Sequence, residues 1–464
     1  MATTAPTFDP KSTATNLAQL YVEGRQNILT AQSQSASAVA SALSKLSSAM
    51  STFRGTLSTL SGQTSILANK ATFSSDVGTA TAKATAAAGS YQFYVEQLAT
   101  AGQVSYNGIA DTAAANPGSL VVTLADGSNF TVTLANADSN HDNTLTAKEI
   151  AAAINLDAAN NARVTASTMT VNGQTRLVMT STQSGVDNAV TGFDTSQLTD
   201  PALAASLDGA NQTVLQQAKN AVVWIGAQGG DPANRLEQAS NTFTVVDGVS
   251  MTFTKAQGVA DSPVTLTVGR DDAGTASNVQ SFVDAWNKLL GIFKEVSAAG
   301  DPASGKAAGI YANDAGLASL KGRMQEMLRT QVGGGSLVTY GITAQRDGTL
   351  ALDTARLGKA LAANPDGLDA IFGKASGVTP SGVLGSLDTV LNSWTKAGTG
   401  QLATRKDTNS RLQASLATRQ ALLETQYDNA YKRYLAQFTQ LQSLQSQMNG
   451  TSSMFDALFS KSDS

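Results

Sequence analysis

The stretch VASALSKLSSAMSTFRGTLSTL constrains this chain more than any other. Val39, Leu43, Leu46, Met50, Phe53, Leu57 and Leu60 follow one another at alternating spacings of four and three. On an α-helix that spacing sets all of them on one seam, as a coiled coil requires. Gly62 then punctuates the tract. The far end of the chain repeats the device in SLATRQALLETQYDNAYKRYLAQFTQLQSLQSQM. Leu416, Leu423 and Leu444 occupy one heptad position together with Ala430 and Gln437. Tyr427, Tyr434, Leu441 and Met448 occupy the interleaved one, with Gln420. The two glutamines interrupt the apolar pattern, and polar seam residues lower stability while fixing register or oligomeric state. The expectation is a helical stalk made by residues 1–70 and 395–464, its seam far from the central cores. Alone such helices are marginal, and they order on meeting a partner. Ordinary packing of two helices inside one globular domain is the competing arrangement.

Between the ends the period changes from that of helices to that of strands. ATAKATAAAGSYQFYVEQLA alternates on both sides of Gly89-Ser90, where a turn is expected. SLVVTLADGSNFTVTL, VTASTMTVNGQTRLVMTST and NTFTVVDGVSMTFTKA each carry an Asp-Gly or Asn-Gly pair between alternating runs, the strongest short-range hairpin signal. SPVTLTVGRDD closes the β-rich stretch. ASNVQSFVDAWNKLLGIFKEV then reads as a helix with Val279, Phe282, Val283, Trp286, Leu289, Leu290 and Phe293 on one face. NDAGLASLKGRMQEML is a second helix. GITAQRDGTLALDTARLGKALAANPDGLDAIFG gives strand, turn, strand, helix and a short helix near Pro365. The predicted fold class is α+β: a stalk, an inner α+β domain from 71–110 and 271–394, and an outer β-rich region over 111–270, divisible into 111–200 and 201–270.

Composition narrows the function. The 464 residues are 42% hydrophobic but only 14% charged, against the roughly 25% charge usual in globular proteins. Neutral polar residues take the place of charge, which suits a chain that packs against copies of itself. The net charge of −4 brings no basic stripe, so nucleic acid is not an expected partner. No run of about 18 apolar residues is present, so no membrane insertion is expected. MATTAPTFDPKSTATNL lacks a basic start and an apolar core, so no cleavable signal is expected there. With no Cys and one His, thiol nucleophiles, thiolate metal sites and a Ser-His-Asp triad have no material. QVGGGS lacks the Lys of a phosphate-binding loop and reads as a turn. Trp224, Trp286 and Trp394 sit among apolar residues and read as core. The chain does not look like an enzyme.

One motif stands apart. In DSNHDNTLTAKE, Asp138, Asn140 and Asp142 fall at positions 1, 3 and 5 of an EF-hand calcium loop. Thr144 would offer its carbonyl at position 7, and Glu149 stands at position 12. Position 6 carries Asn143 where Gly is usual, and the entering element is a strand, not a helix. Thr146 and Glu149 also spell a capping box for KEIAAAIN. Calcium is the one cofactor the sequence admits.

Taken in order, the segments resemble the flagellar filament cap family. ALSKLSSAMSTFRGTLSTL leads into ATFSSD and ATAKATAAAGSYQFYVEQLATA, similar to the family's strand entry with its GSY and V-x-Q-L-A pattern. LTAKEIAAAIN resembles the family's I-x-x-A-I-N helix. TLTVGRDDAGTASNVQSFVDAWNKLL matches a further segment, with Trp286 where Tyr is usual, and GITAQRDGTLALD…NPDGLDAIFG another. The chain departs from the family's G-x-G-S-G-L-D opening, having FDPKSTATNLAQLYVEGRQNIL instead, which bears on how the N-terminus docks. The resemblance implies a structural, extracellular role at the flagellum tip, exported by the flagellar type III system without a cleaved signal. It implies a closed homo-oligomeric ring of a few subunits beneath which flagellin folds and inserts. It implies an export chaperone on the C-terminal helical region, and in some members adhesion to mucus. A junction protein, flagellin or a surface adhesin remains the alternative.

Overall fold

The computed structural model describes residues 9–109, 111–301, 303–332, 335–375 and 379–460. Its helices are α1 (Pro10–Gly62), α2 (Ala147–Leu156), α3 (Pro201–Ser206), α4 (Asp272–Val296), α5 (Ala315–Met327), α6 (Thr354–Ala363), α7 (Asp366–Phe372), α8 (Gly382–Thr395) and α9 (Gln401–Ser460). The chain divides into two compact units, one of residues 1–66 with 276–464 and one of residues 67–275.

Among the described residues the first unit is built of helices and the hairpin Ile342–Ala344 with Leu350–Leu352, with isolated bridges at Asp301–Lys306 and Val332–Gly335. Asp9 caps α1 by accepting from the Lys11 and Ser12 N–H groups, and Pro10 sits where a helix needs no donor. The helix then runs 53 residues without a break. Its second half enters a core of large side chains. The Phe53 ring lies 6.1 Å from those of Phe282 and Trp286, and Phe282 meets Phe372 edge-on at 5.3 Å. Arg54 clamps Asp388 through Nε and Nη2 at 2.7 and 3.3 Å, and its Nη1 reaches Thr395. Asp314, the cap of α5, accepts two bonds from Arg405 at 2.8 and 3.0 Å. The Arg405 guanidinium also lies over the rings of Tyr311 and Trp394, which holds the start of α9 against α5 and α8.

Among the described residues the second unit holds two large cores and a small cluster of Tyr94, Val222 and Trp224. One comes from residues 71–99 together with 221–268, between a five-stranded sheet and a three-stranded sheet. The five-stranded sheet runs Ala68–Phe73, Val264–Asp271, Gly89–Gln97, Ala221–Ile225, Arg235–Gln238, antiparallel throughout. The other core spans residues 104–207 and gathers α2, α3 and the sheets built on Ala101–Asn107 and Ser119–Leu124.

The observed partition differs from the one expected for 71–110 and 271–394. Strands in 68–107 pair with strands at 174–184, 212–225 and 264–271, so backbone hydrogen bonding carries them into the β unit. The helices from Ala276 onward belong to the other unit. Within the β unit the cores group 221–268 with 71–99, not with a consecutive segment 201–270. Residue 110 lies outside the described residues. Gly89-Ser90 is not a turn: both residues open a strand, and Gly89 pairs with Val268. The Asp-Gly and Asn-Gly hairpins form as read, with Gly127, Gly173, Gly248 and Gly348 all at positive φ, where a Cβ is penalised.

Candidate functional site: the terminal-helix stalk

The first half of α1 lies antiparallel along α9. Arg25 donates to Gln426, Gln420 to Gln26, and the buried Asn409 to the Ala36 carbonyl. Between these polar ties Val22, Leu29 and Ala36 pack with Leu416 and Leu423, with Tyr427 partly covered beside them. Ala14, Ala18 and Ala430 are also buried. The stalk is therefore a real two-helix seam, dry along one line and closed by small residues.

The partners differ from the expected ones. The Val39–Leu60 tract does not zip onto Leu416–Met448. Leu43, Leu46, Met50, Phe53, Leu57 and Leu60 are at most 5% exposed, within the helical unit's body, and Val39 is half-buried. In the antiparallel register these residues lie level with α8 and the first turns of α9, so they never reach the C-terminal seam. The C-terminal seam is met by an earlier stretch. Val22, Leu29 and Ala36 continue the register of Leu43, Met50 and Leu57 backwards at seven-residue spacing. That extension was legible, but Arg25 and Gln32 fill the interleaved positions and mask it.

The C-terminal seam itself changes character along its length. Leu416 and Leu423 are buried, and Tyr427 and Tyr434 are half-buried. Leu441 and Leu444 are about half exposed and Met448 is 64% exposed, followed by Met454 and Phe455, also exposed. Carrying the antiparallel register to Pro10 at 1.5 Å per residue brings it level with about residue 438, so the last ~20 residues of α9 extend roughly 30 Å past the start of α1. An apolar helix face of that length left in water favours a further partner.

The second candidate, the loop at Asp138–Glu149, belongs to the β unit. His141 and Asn143 are left-handed, at φ of 60° and 65°. Asp138 Oδ2 accepts from the Asn143 N–H, Asn140 Oδ1 from Asp142, and Asp142 Oδ1 from Thr144. Glu149 Oε2 accepts from the Thr146 N–H and hydroxyl, completing the expected capping box, and Oε1 from the Ser139 N–H. The Thr146 hydroxyl first, then its N–H, with Ser139 adding, hold the Glu149 carboxyl below its ordinary value against the effect of burial. Among the described residues no three His, Cys, Asp or Glu side chains stand together as a preformed metal group. No helix there is long and apolar enough to cross a membrane.

Known proteins agree on one family. Residues 7–102 match the model for the flagellar hook-associated protein 2 N-terminus, and 218–450 that for its C-terminus. The chain is 36% identical to the lateral flagellar hook-associated protein 2 of Vibrio parahaemolyticus, over 97% of this chain and 99% of that one. It is 32% identical to the B-type flagellar hook-associated protein 2 of Pseudomonas aeruginosa, over 81% and 79% of the two chains. Among solved structures, the D1-D2-D3 domains of the flagellar cap protein FliD from Escherichia coli superpose with a TM-score of 0.58 at 25% identity, covering 79% of this chain and 99% of that one.

Proposed function

Since the chain belongs to the flagellar hook-associated protein 2 family, the family of flagellar filament caps, we propose that it closes into a ring of a few copies at the growing flagellum tip. Flagellin subunits then fold and insert beneath the ring. The α1–α9 stalk reaches toward the filament end, and its exposed C-terminal face supplies the contact that is made and released as each subunit is added. The observation that carries this reading is the change along α9, from a buried seam at Leu416 and Leu423 to an exposed one from Leu441 onward. A helix face that is apolar but unpaired suits binding that must be reversible, since a segment ordering on contact gives up part of its interaction energy. The same end of α9 is where an export chaperone would cover apolar residues before secretion through the flagellar type III route. The weakly charged surface suits self-association. The role is structural and lies outside the cell.

The test is complementation of a cap-less cell. The full chain restores long filaments, whereas a chain ending at residue 437 leaves flagellin free in the medium. Equal filament growth by the truncated chain would remove the stalk end from the account.

A further inference from the structure

We propose that neighbouring copies pack stalk against stalk, the Arg25–Arg419 side of one seated on the Glu23–Glu424 side of the next. This contact rests on the ring reading and identifies what holds the stalks side by side. Two polar ties flank the seam of Leu29 and Leu423, one on each side of it. Arg25 reaches across to Gln426, and Gln420 to Gln26. On the first side an open groove runs between the helices, lined by Arg25, Ile28 and Gln32 of α1 and by Arg419, Leu422 and Gln426 of α9. Ile28 and Leu422 are 60% and 58% exposed there. Both charges lining the groove are cations. On the second side the charges are carboxylates. Glu23 stands three residues before Gln26 and Glu424 four after Gln420, spacings that share a helix face, and both are exposed. Glu424 also accepts from Gln420, at 3.5 Å. Among the described residues none of these four charges enters an ion pair.

An apolar groove carrying only cations calls for a surface bearing carboxylates, and the same chain offers one on its opposite side. Opposite charges on opposite sides suit a heterologous contact, in which each copy gives one side and takes the other. A two-fold contact would set arginine against arginine instead. Height along the stalk agrees as well. The ties of Asn409 to Ala36 and Gln420 to Gln26 bring Arg419 level with about residue 27 and Glu424 with about residue 22. At 1.5 Å per residue, all four charges lie within about 8 Å along the axis. A closed ring raises no copy above its neighbour, so the two cations of one stalk meet the two carboxylates of the next at the same height. Exposed ion pairs are weak and screened by salt. Such a contact can part at one place and reform while the rest of the ring holds.

Because the chain has no Cys, introduced thiols read the contact directly. The full chain carrying Ile28→Cys on the groove side and Thr30→Cys on the other is treated with a bis-maleimide spanning about 10 Å, the distance between packed helix axes. The same samples are viewed by electron microscopy at low salt. The expected result is closed rings and a ladder of covalent multimers, with neither single-cysteine variant giving more than monomer. Adding Arg25→Glu and Arg419→Glu should cut the ladder by at least ~10-fold at an unchanged circular dichroism spectrum. Adding Glu23→Arg and Glu424→Arg on top should restore it. Rings without a ladder would overturn the stalk contact and leave the ring reading standing, whereas no rings and no ladder would overturn both. Covalent dimers from Ile28→Cys alone would show like side on like side and overturn it too. So would a fourfold charge variant that stays as poor as the double one.

Discussion

The two halves of α1 share one heptad register and one unbroken backbone, yet they live in different surroundings. From Leu43 to Leu60 both seam positions carry large apolar residues, and all are covered by several helices at once. From Val22 to Ala36 one register carries Val, Leu and Ala while the interleaved one carries Arg25 and Gln32, and among the described residues the apolar one packs on α9. A heptad period thus specifies a helical stripe, not its partner. What covers the stripe depends on how much apolar surface it offers. A wide stripe draws in a multi-helix core, whereas a narrow one closes against a single helix, tied by Asn409 and Gln420.

That contrast can be broken at graded cost. Phe53→Ala empties a site lined by Phe282 and Trp286, and should cost about 3–5 kcal/mol, read as a drop in the denaturant midpoint of the helical unit. Leu423→Ala opens the two-helix seam only, and should cost about 2 kcal/mol. Its effect should appear as faster amide exchange over 14–36 and 409–430, with exchange over 43–60 unchanged.

Asp314→Asn should cost about 1–2 kcal/mol at pH 7, since it removes a two-bonded charge pair that is mostly covered. Burial raises the Asp314 carboxyl, but Arg405 and the Leu317 N–H outweigh it and hold it below its ordinary 3.8. Its stabilisation is thus full above that value and fades as pH falls through the lower folded one. The gap between variant and native chain should therefore narrow in acid below about pH 4, measured by denaturation at stepped pH. Smallest of all, replacing Leu441, Leu444 and Met448 together by Ala should shift stability by under ~0.5 kcal/mol per site, because exposed positions hold little. The same triple variant should nonetheless impair filament growth, separating surface from core.

Much of this was written in the sequence. The Asp-Gly and Asn-Gly hairpins, the apolar face of α4 and the Thr146–Glu149 cap follow from turn chemistry and period alone. Two features did not follow. Local alternation around Gly89 cannot say whether a glycine turns the chain or opens a strand. Pairing with Val268, nearly 180 residues away, decided that. Nor could heptads at both ends reveal their offset, because the register along the stalk is set by long-range ties such as Asn409 to Ala36. At the Asp138–Glu149 loop the capping residues and turn chemistry were legible, whereas the surroundings of the Asp138 carboxylate needed the fold around it.

Electron microscopy of the purified full chain at high concentration tests the central claim, that this is a ring-forming cap. The account predicts discrete closed rings containing a few copies, constant in number from ring to ring. Monomers alone, or open fibres that lengthen with concentration, would contradict it.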